Sequence, residues 1–359
     1  MGRVPIDLLV PFIFSCLFAL ILTPIVRVLA LKTGLVDLPN ARRLNKIPMP
    51  SGGGIVVFLA FFATVFLFTE IEVLPFLLGG VVIVFVGLLD DYRGLSPLQK
   101  FIGQLVAVSL YIAFGSRIEF MPNPFGGIIE LGVFSVLVTG FWFISVINVI
   151  NFIDGLDGLA SGIVIIASVA LFSIAFDFGR IEVATLILIF VGSVAGFIPY
   201  NFNPAKIYLG DAGAMFLGFM LAGLAVEGVL KGTNTVGIGI AALVIAVPIT
   251  DAFCAIVRRV IRNVPFYQAD KHHFHHRLLE LGFNQRQVAL CAYMITFVSA
   301  AMALQSVQLN SKGFWIPWVM AIIFLYGATK VGLIKPTQVG EIMNESYKTS
   351  VKLGEKRGY

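Results

Sequence analysis

Charge is what this sequence has least of. Lys, Arg, Asp and Glu make up 13% of its 359 residues, against about 25% in an ordinary soluble domain. That scarcity excludes a plain soluble enzyme, a disordered chain and a nucleic-acid-binding module. Cysteine is also sparse. Cys16, Cys254 and Cys291 are scattered in or beside apolar runs, so they form no disulfide framework and no CxxC metal spacing and read as small hydrophobes. There is no internal repeat and no low-complexity tract. Histidine occurs four times, all within five consecutive positions.

What the chain has in excess is apolar residues, 58% of the total, with a mean hydropathy of +0.95. At about 20 residues per helical span, this is enough for roughly ten spans. Breaks at charged or Pro/Gly-rich positions divide the chain into eleven apolar segments: Pro5–Ala30, Gly54–Phe68, Val73–Leu89, Leu98–Phe114, Leu131–Ile150, Leu159–Phe176, Val183–Pro199, Ala212–Leu230, Val236–Val257, Val288–Ser306 and Phe314–Leu333. The first run is too long for a signal-peptide core and reads as an uncleaved span. The expectation is an all-α polytopic membrane protein of about 11 transmembrane helices. Residues 1–334 form one membrane domain and 335–359 a cytoplasmic tail.

Eleven spans place the termini on opposite sides. With the N-terminus outside, 20 of the 25 Lys and Arg residues fall on the inner face and five on the outer. The positive-inside bias therefore gives N-out, C-in. The net charge of +5 reads as the same bias rather than as nucleic-acid affinity.

The unusual polar residues all fall on that inner face. Asp90-Asp91 directly follows an apolar run. A carboxylate pair at the edge of a bilayer is costly and tends to be functional, and mutual repulsion would let one act as a base; the alternative is a solvated loop start with Arg93 as partner. Asn148, Asn151, Asp154 and Asp157 recur in steps of three, which stacks side chains along a helix and could bind a hard cation or a polar ligand. Gly155 and Gly158 relax that helix and expose backbone N–H groups. Asp211 opens a helix, where it could cap or stand beside a bound phosphate, with Tyr208 nearby to stack on a base or mark the membrane interface. The densest cluster runs from Asp270 to Arg277 (DKHHFHHR). Its histidines suit either a transition-metal site or a phosphate cradle aided by Lys271 and Arg277. The surrounding carboxylates favour magnesium, and so phosphate chemistry.

Together these motifs resemble the polyprenyl-phosphate N-acetylhexosamine-1-phosphate transferase superfamily. The matching stretches are Asp90-Asp91-Tyr92, Asn148 to Leu159 (NVINFIDGLDGL), Pro204 to Gly213 (PAKIYLGDAG) and Asp270 to Leu278 (DKHHFHHRL). The first inner loop, with Asp37, Pro39, Arg42-Arg43, Pro50 and Gly52-Gly53, resembles the WecA/TagO-like branch in particular. Two positions depart from it: Asn45 replaces a usual His, and Ala214 a usual Ser.

The resemblance implies transfer of a sugar-1-phosphate, GlcNAc-1-phosphate in that branch, from a UDP-sugar to undecaprenyl phosphate. UMP would leave in this first membrane step of a cell-envelope glycan pathway. It implies a bacterial cytoplasmic membrane protein with its site on the cytoplasmic face, dependent on Mg2+ with Mn2+ as a substitute. Partners would be the UDP-sugar and the polyprenyl phosphate, with a homodimer left open and no nucleic acid. By the same resemblance Asp211 and Asn151 would be the magnesium ligands, and Asp90 or Asp91 would activate the lipid phosphate. Asp154 and Asp157 would hold the uridine or the metal, with Asn148 on the same stripe and Tyr208 stacking on the uracil. Lys100, His273, His275, His276 and Arg277 would face the diphosphate.

Rival readings are the branch that transfers phospho-N-acetylmuramoyl-pentapeptide, an intramembrane prenyltransferase, and an ion-coupled transporter. The first usually has three consecutive histidines where Phe274 interrupts the run, and the second spaces its acids by four. A transporter would use Asp251 as a relay, whereas a structural Asp251 would pair with Arg258.

Overall fold

The computed structural model describes residues 6–37, 48–123, 127–230, 237–261, 273–309, 313 and 315–333. Within them the chain is almost wholly helical. The helices are α1 (Ile6–Thr33), α2 (Gly53–Phe68), α3 (Leu74–Arg93), α4 (Pro97–Phe114), α5 (Ser135–Ile153), α6 (Leu159–Asp177) and α7 (Ile181–Asn201). They continue as α8 (Gly210–Ala225), α9 (Gly237–Val244), α10 (Ala246–Ile261), α11 (Phe274–Glu280), α12 (Gln285–Gln308) and α13 (Ile316–Val331). Two antiparallel ribbons complete the described chain: β1 (Val36–Asp37) with β2 (Met49–Pro50), and β3 (Phe120–Pro122) with β4 (Ile128–Glu130).

Among the described residues eight helical segments are long and apolar enough to cross a membrane, or nine if α9 and α10 count as one broken span. The protein is therefore an all-α polytopic membrane protein. Each of the eleven apolar segments contains a helix, but α2 and α13 are only 16 residues long, short of the roughly 20 that a full span needs. The ninth segment is not one rod: α9 and α10 meet at 86°. Pro248 accounts for the break. It has no N–H for the Val244 carbonyl, and its ring crowds that carbonyl, which weakens the helix where the break falls.

Exposure follows from the surrounding solvent. Leu9, Ile13, Leu17, Ile21 and Ile25 of α1 are exposed without polar company, as a lipid-facing stripe requires. Helix α8 is buried on all sides, packed by α3, α5 and α2. Glycines permit that packing. A side chain at Gly54 would strike the Gly213 backbone, and one at Gly87 would strike Ala212. Capping boxes start α4 (Ser96 with Gln99) and α12 (Asn284 with Gln287).

The stripe of four at steps of three is only half helical. Asn148 and Asn151 lie on α5, but α5 ends at Ile153 and Asp154 is its terminal cap. Gly158, at φ +74°, starts α6, so Asp154 and Asp157 sit on a turn. The tail from residue 335 lies outside the described residues, as do Pro39, Arg42, Arg43, Asn45, Asp270, Lys271 and His272.

Candidate active site

Six carboxylates, those of Asp37, Asp90, Asp91, Asp154, Asp157 and Asp211, line one cavity of about 590 Å3 at the end of the bundle. Asn151, Tyr208, His275, His276 and Gln285 share its wall. The cavity thus gathers β1, the C-terminus of α3, the α5–α6 turn, the start of α8 and the helix α11. These segments are far apart in sequence, and only the helical bundle brings their ends together.

Asp211 is the hub. Its Oδ1 accepts from Lys100 Nζ and Asn151 Nδ2, each at 3.1 Å. Lys100 also pairs with Asp90, whose Oδ1 accepts the Leu95 N–H at 2.7 Å. Asp91 does something else. Its Oδ1 and Oδ2 accept the N–H groups of Asp211 at 2.8 Å and Ala212 at 3.3 Å. Helix α8 has no side-chain cap of its own, so a carboxylate from α3 supplies one, where the helix dipole favours negative charge. Gly210 makes room for this: at φ +76° it has no side chain to collide with Ser51 or Asp91.

On the opposite wall, Asp157 Oδ2 accepts from Asn203 Nδ2 at 2.9 Å and the Ala205 N–H at 3.0 Å. Asn203 Nδ2 also reaches Gln285 Oε1 at 2.7 Å. Burial pushes the Asp154 carboxyl well above its ordinary pKa, and Asp211, Asp91 and Asp157 push the same way. Burial, reinforced by His276, lowers His275 to about 3, so its imidazole is neutral at physiological pH.

Not every sequence candidate reaches the cavity. Asn148 stands behind the wall, its amide paired with that of Gln104 (Nδ2 to Oε1, 2.8 Å). His273 lies beneath, its Nδ1 2.9 Å from Asp251 Oδ2. Arg277 turns away, donating to the Val331 carbonyl at 3.0 Å and to Glu280 at 2.7 Å. Asp37, noted from the sequence only for its first-loop resemblance, lines the cavity, and Asp251, noted only as a transporter relay or a partner of Arg258, lies behind it. Residues missed from the sequence are Gln285 at the cavity, Asn203 beside it and Gln104 behind it. Gln104 carried a signal as a polar side chain in an apolar run; the other two had none beyond a polar loop.

Among the described residues no three His, Cys, Asp or Glu side chains converge as a ready-made ion cage. The donor set still fits a hard cation. Six carboxylates and the Asn151 amide line the cavity, so oxygen ligands are at hand and a cation would ease the crowding of the acids. Magnesium commonly uses one or two carboxylates, with substrate phosphates and water completing its shell.

A membrane-embedded helical bundle with an acid-lined cavity at one end defines a class of protein, and comparison with known proteins narrows it. Residues 73–229 match the family model described as "Glycosyl transferase family 4". The chain is 34% identical over 97% of its length, and 96% of the relative's, to the "Probable undecaprenyl-phosphate N-acetylglucosaminyl 1-phosphate transferase" of Bacillus subtilis (strain 168). It is 31% identical to the "Decaprenyl-phosphate N-acetylglucosaminephosphotransferase" of Mycobacterium tuberculosis (strain ATCC 25618 / H37Rv), covering 86% of this chain and 85% of that one. A third relative, the "Undecaprenyl-phosphate alpha-N-acetylglucosaminyl 1-phosphate transferase" of Yersinia pestis, is 29% identical over 89% of this chain and 88% of its own. The chain belongs to glycosyl transferase family 4.

Proposed function

We propose that this protein transfers GlcNAc-1-phosphate from UDP-GlcNAc to a polyprenyl phosphate, undecaprenyl phosphate by likeness to the Bacillus subtilis relative, releasing UMP. The observation that carries the reading is the six-carboxylate cavity at the end of a lipid-facing bundle. Its volume suits a nucleotide-sugar, and its place at a helix-bundle end suits a donor from water and an acceptor from lipid.

An oxygen of the lipid phosphate attacks the sugar-bearing phosphorus, and the bond from that phosphorus to the UMP oxygen breaks. Such transfers ask for positioning and charge neutralisation rather than covalent chemistry by the protein. The side chains support a direct displacement. Both Asp91 oxygens are taken by backbone N–H groups, and Asp90 is held by Leu95 and Lys100. Lys100, between Asp90 and Asp211, is placed to meet a phosphate. Neutral His275 donates or accepts a hydrogen bond without adding charge, and His276 stands beside it on the wall. Tyr208 offers its ring to the uracil, and Asp157 and Gln285 their polar atoms.

Asp211 and Asn151 would hold Mg2+, with Asp90 or Asp154 close enough in the cavity to share the role. Bound there, the ion would neutralise diphosphate charge that the acids alone would repel. The eleven segments, the N-out orientation and a cytoplasmic face for the cavity form part of the same proposal, in a bacterial inner membrane. The basic-residue asymmetry supports them.

The test is purified protein with undecaprenyl phosphate, Mg2+ and a panel of radiolabelled UDP-sugars. Labelled lipid from UDP-GlcNAc is expected; no lipid-linked product from any sugar would overturn the reading. A cysteine placed at exposed Glu280, in a cysteine-free background, should react with an impermeant thiol reagent only after the cells are opened. Labelling of intact cells would invert the topology.

A further inference from the structure

Asp251 belongs to no motif that the sequence singled out for the reaction. It sits one turn into α10, past the 86° break, and only 2% of its surface is exposed. A carboxylate so deep in an apolar helix needs partners. Oδ1 accepts the Phe274 N–H at 2.7 Å, and Oδ2 lies 2.9 Å from His273 Nδ1. Both contacts fall at the start of α11, the short helix that carries His275 and His276 to the cavity.

The linkage continues outward. The rings of His273 and His275 lie parallel, 4° apart in plane and 5.9 Å between centroids. The His275 ring rests on Gly155, in space that a side chain there would occupy. Gly155 is the neighbour of Asp154 in the acid-bearing turn. Asp251, His273, His275 and Gly155 thus run in contact from the bent helix to the cavity wall.

The geometry points to Asp251 as a positioning residue: through His273 it fixes α11, and with it the two histidines that face the substrate. The inference rests on the proposed reaction only for its kinetic consequence. The hydrogen bonds also fix where a proton lies. An ionised carboxylate only accepts, so His273 must carry hydrogen on Nδ1. Asp251→Asn would keep the shape but reverse that arrangement. Its Oδ1 must still accept from Phe274, so its NH2 would face His273 Nδ1 and require a bare lone pair there, moving the proton to Nε2.

Two measurements test this. In protein labelled with 15N-histidine, the His273 signal, assigned by its loss in His273→Gln, should show Nδ1 protonated in the wild type and Nε2 alone protonated in Asp251→Asn. Nδ1 bare in the wild type would overturn the inference, and this readout is independent of any reaction. Kinetically, Asp251→Asn and His273→Gln should each lower kcat/KM about tenfold or more, as ångström-scale misplacement does. The double variant should be little worse than the poorer single, because both break one linkage. Additive losses, or Asp251→Asn within twofold of wild type at an unchanged melting temperature, would overturn it. A wild type inert on every UDP-sugar would instead defeat the proposed reaction, with the 15N readout still deciding the linkage.

Discussion

Helix α8 and the π-helical turn that continues it carry a carboxylate near each end, Asp211 and Glu227, and the two are treated differently. Asp211 and Glu227 are separated by about 24 Å at the helical rise of about 1.5 Å per residue. At the Glu227 end, in a π-helical turn (Val226–Leu230), Tyr111 donates to the carboxylate at 3.3 Å, and Arg180 reaches the Glu227 main-chain carbonyl and stabilises the side chain by its charge. One acid meets one base and a hydroxyl, and the end is closed. At the Asp211 end, six acids share a cavity, and among the described residues Lys100 is a cation tied to two of them. A polar group that serves only the fold is neutralised by its own neighbours. At the proposed reaction site one lysine is shared between two acids.

The largest effect should come from the Asp211 end. Asp211→Ala should lower turnover by about a thousandfold or more, roughly 4 kcal/mol of barrier at about 1.4 kcal/mol per factor of ten. Activity within threefold of wild type at saturating Mg2+ would reduce Asp211 to a structural partner of Lys100 and Asn151 and erase the contrast.

Next in size is a purely steric change. Gly87→Val would push α3 off the Ala212 backbone and pull Asp90 and Asp91 from Asp211. Activity should drop by about a hundredfold, and detergent-solubilised protein should melt earlier. A variant that assembles and turns over normally would show that the acids do not depend on that contact.

A smaller effect concerns pH. His275 falls from 6.5 to about 3 in the fold, so below pH 6.5 the unfolded chain binds a proton that the folded chain refuses. Stability from this group is complete above pH 6.5 and is lost as pH falls towards 3. The melting temperature should therefore decline from pH 7 to pH 4, and decline less in His275→Gln. Parallel curves would mean that the ring is not held neutral.

The smallest effect belongs to the closed end. Glu227→Gln keeps an acceptor for Tyr111 but leaves Arg180 without its countercharge, costing about 1–2 kcal/mol of stability. Turnover should stay within twofold; a large catalytic loss would mean that this end takes part in the reaction after all.

Much of this arrangement was legible in the sequence, for identifiable reasons. The acids could be found because a carboxylate at the edge of an apolar run is conspicuous, and those at 90, 91, 154, 157 and 211 share one cavity. The bend between α9 and α10 was written in Pro248 but passed over, because hydropathy alone does not register a missing N–H. The role of Asp91 was not legible at all. Beside Asp90 the two look equivalent, and only the packing of α3 on α8 turns one towards backbone N–H groups and the other towards Lys100. Asp251 and His273 stand 22 positions apart, and Asp251 looked like a partner for Arg258 because both lie on one helix. Arg258 donates to the Leu333 carbonyl at 2.7 Å, a partner that no local spacing could suggest. Counting helical steps from Asn148 to Asp157 found a real grouping but the wrong geometry, since glycines ended the helix midway.

Gly54 and Gly87 bring main chain against main chain at the start of α8. Side chains can swing between rotamers; peptide planes in contact cannot. The spacing between Asp211 and the acids of α3 is therefore set like the gap between machined parts, by the dimensions of the backbone itself. Drift in the surrounding sequence can reshape the cavity's outer walls, while the distance between Asp211 and the acids of α3 stays the same.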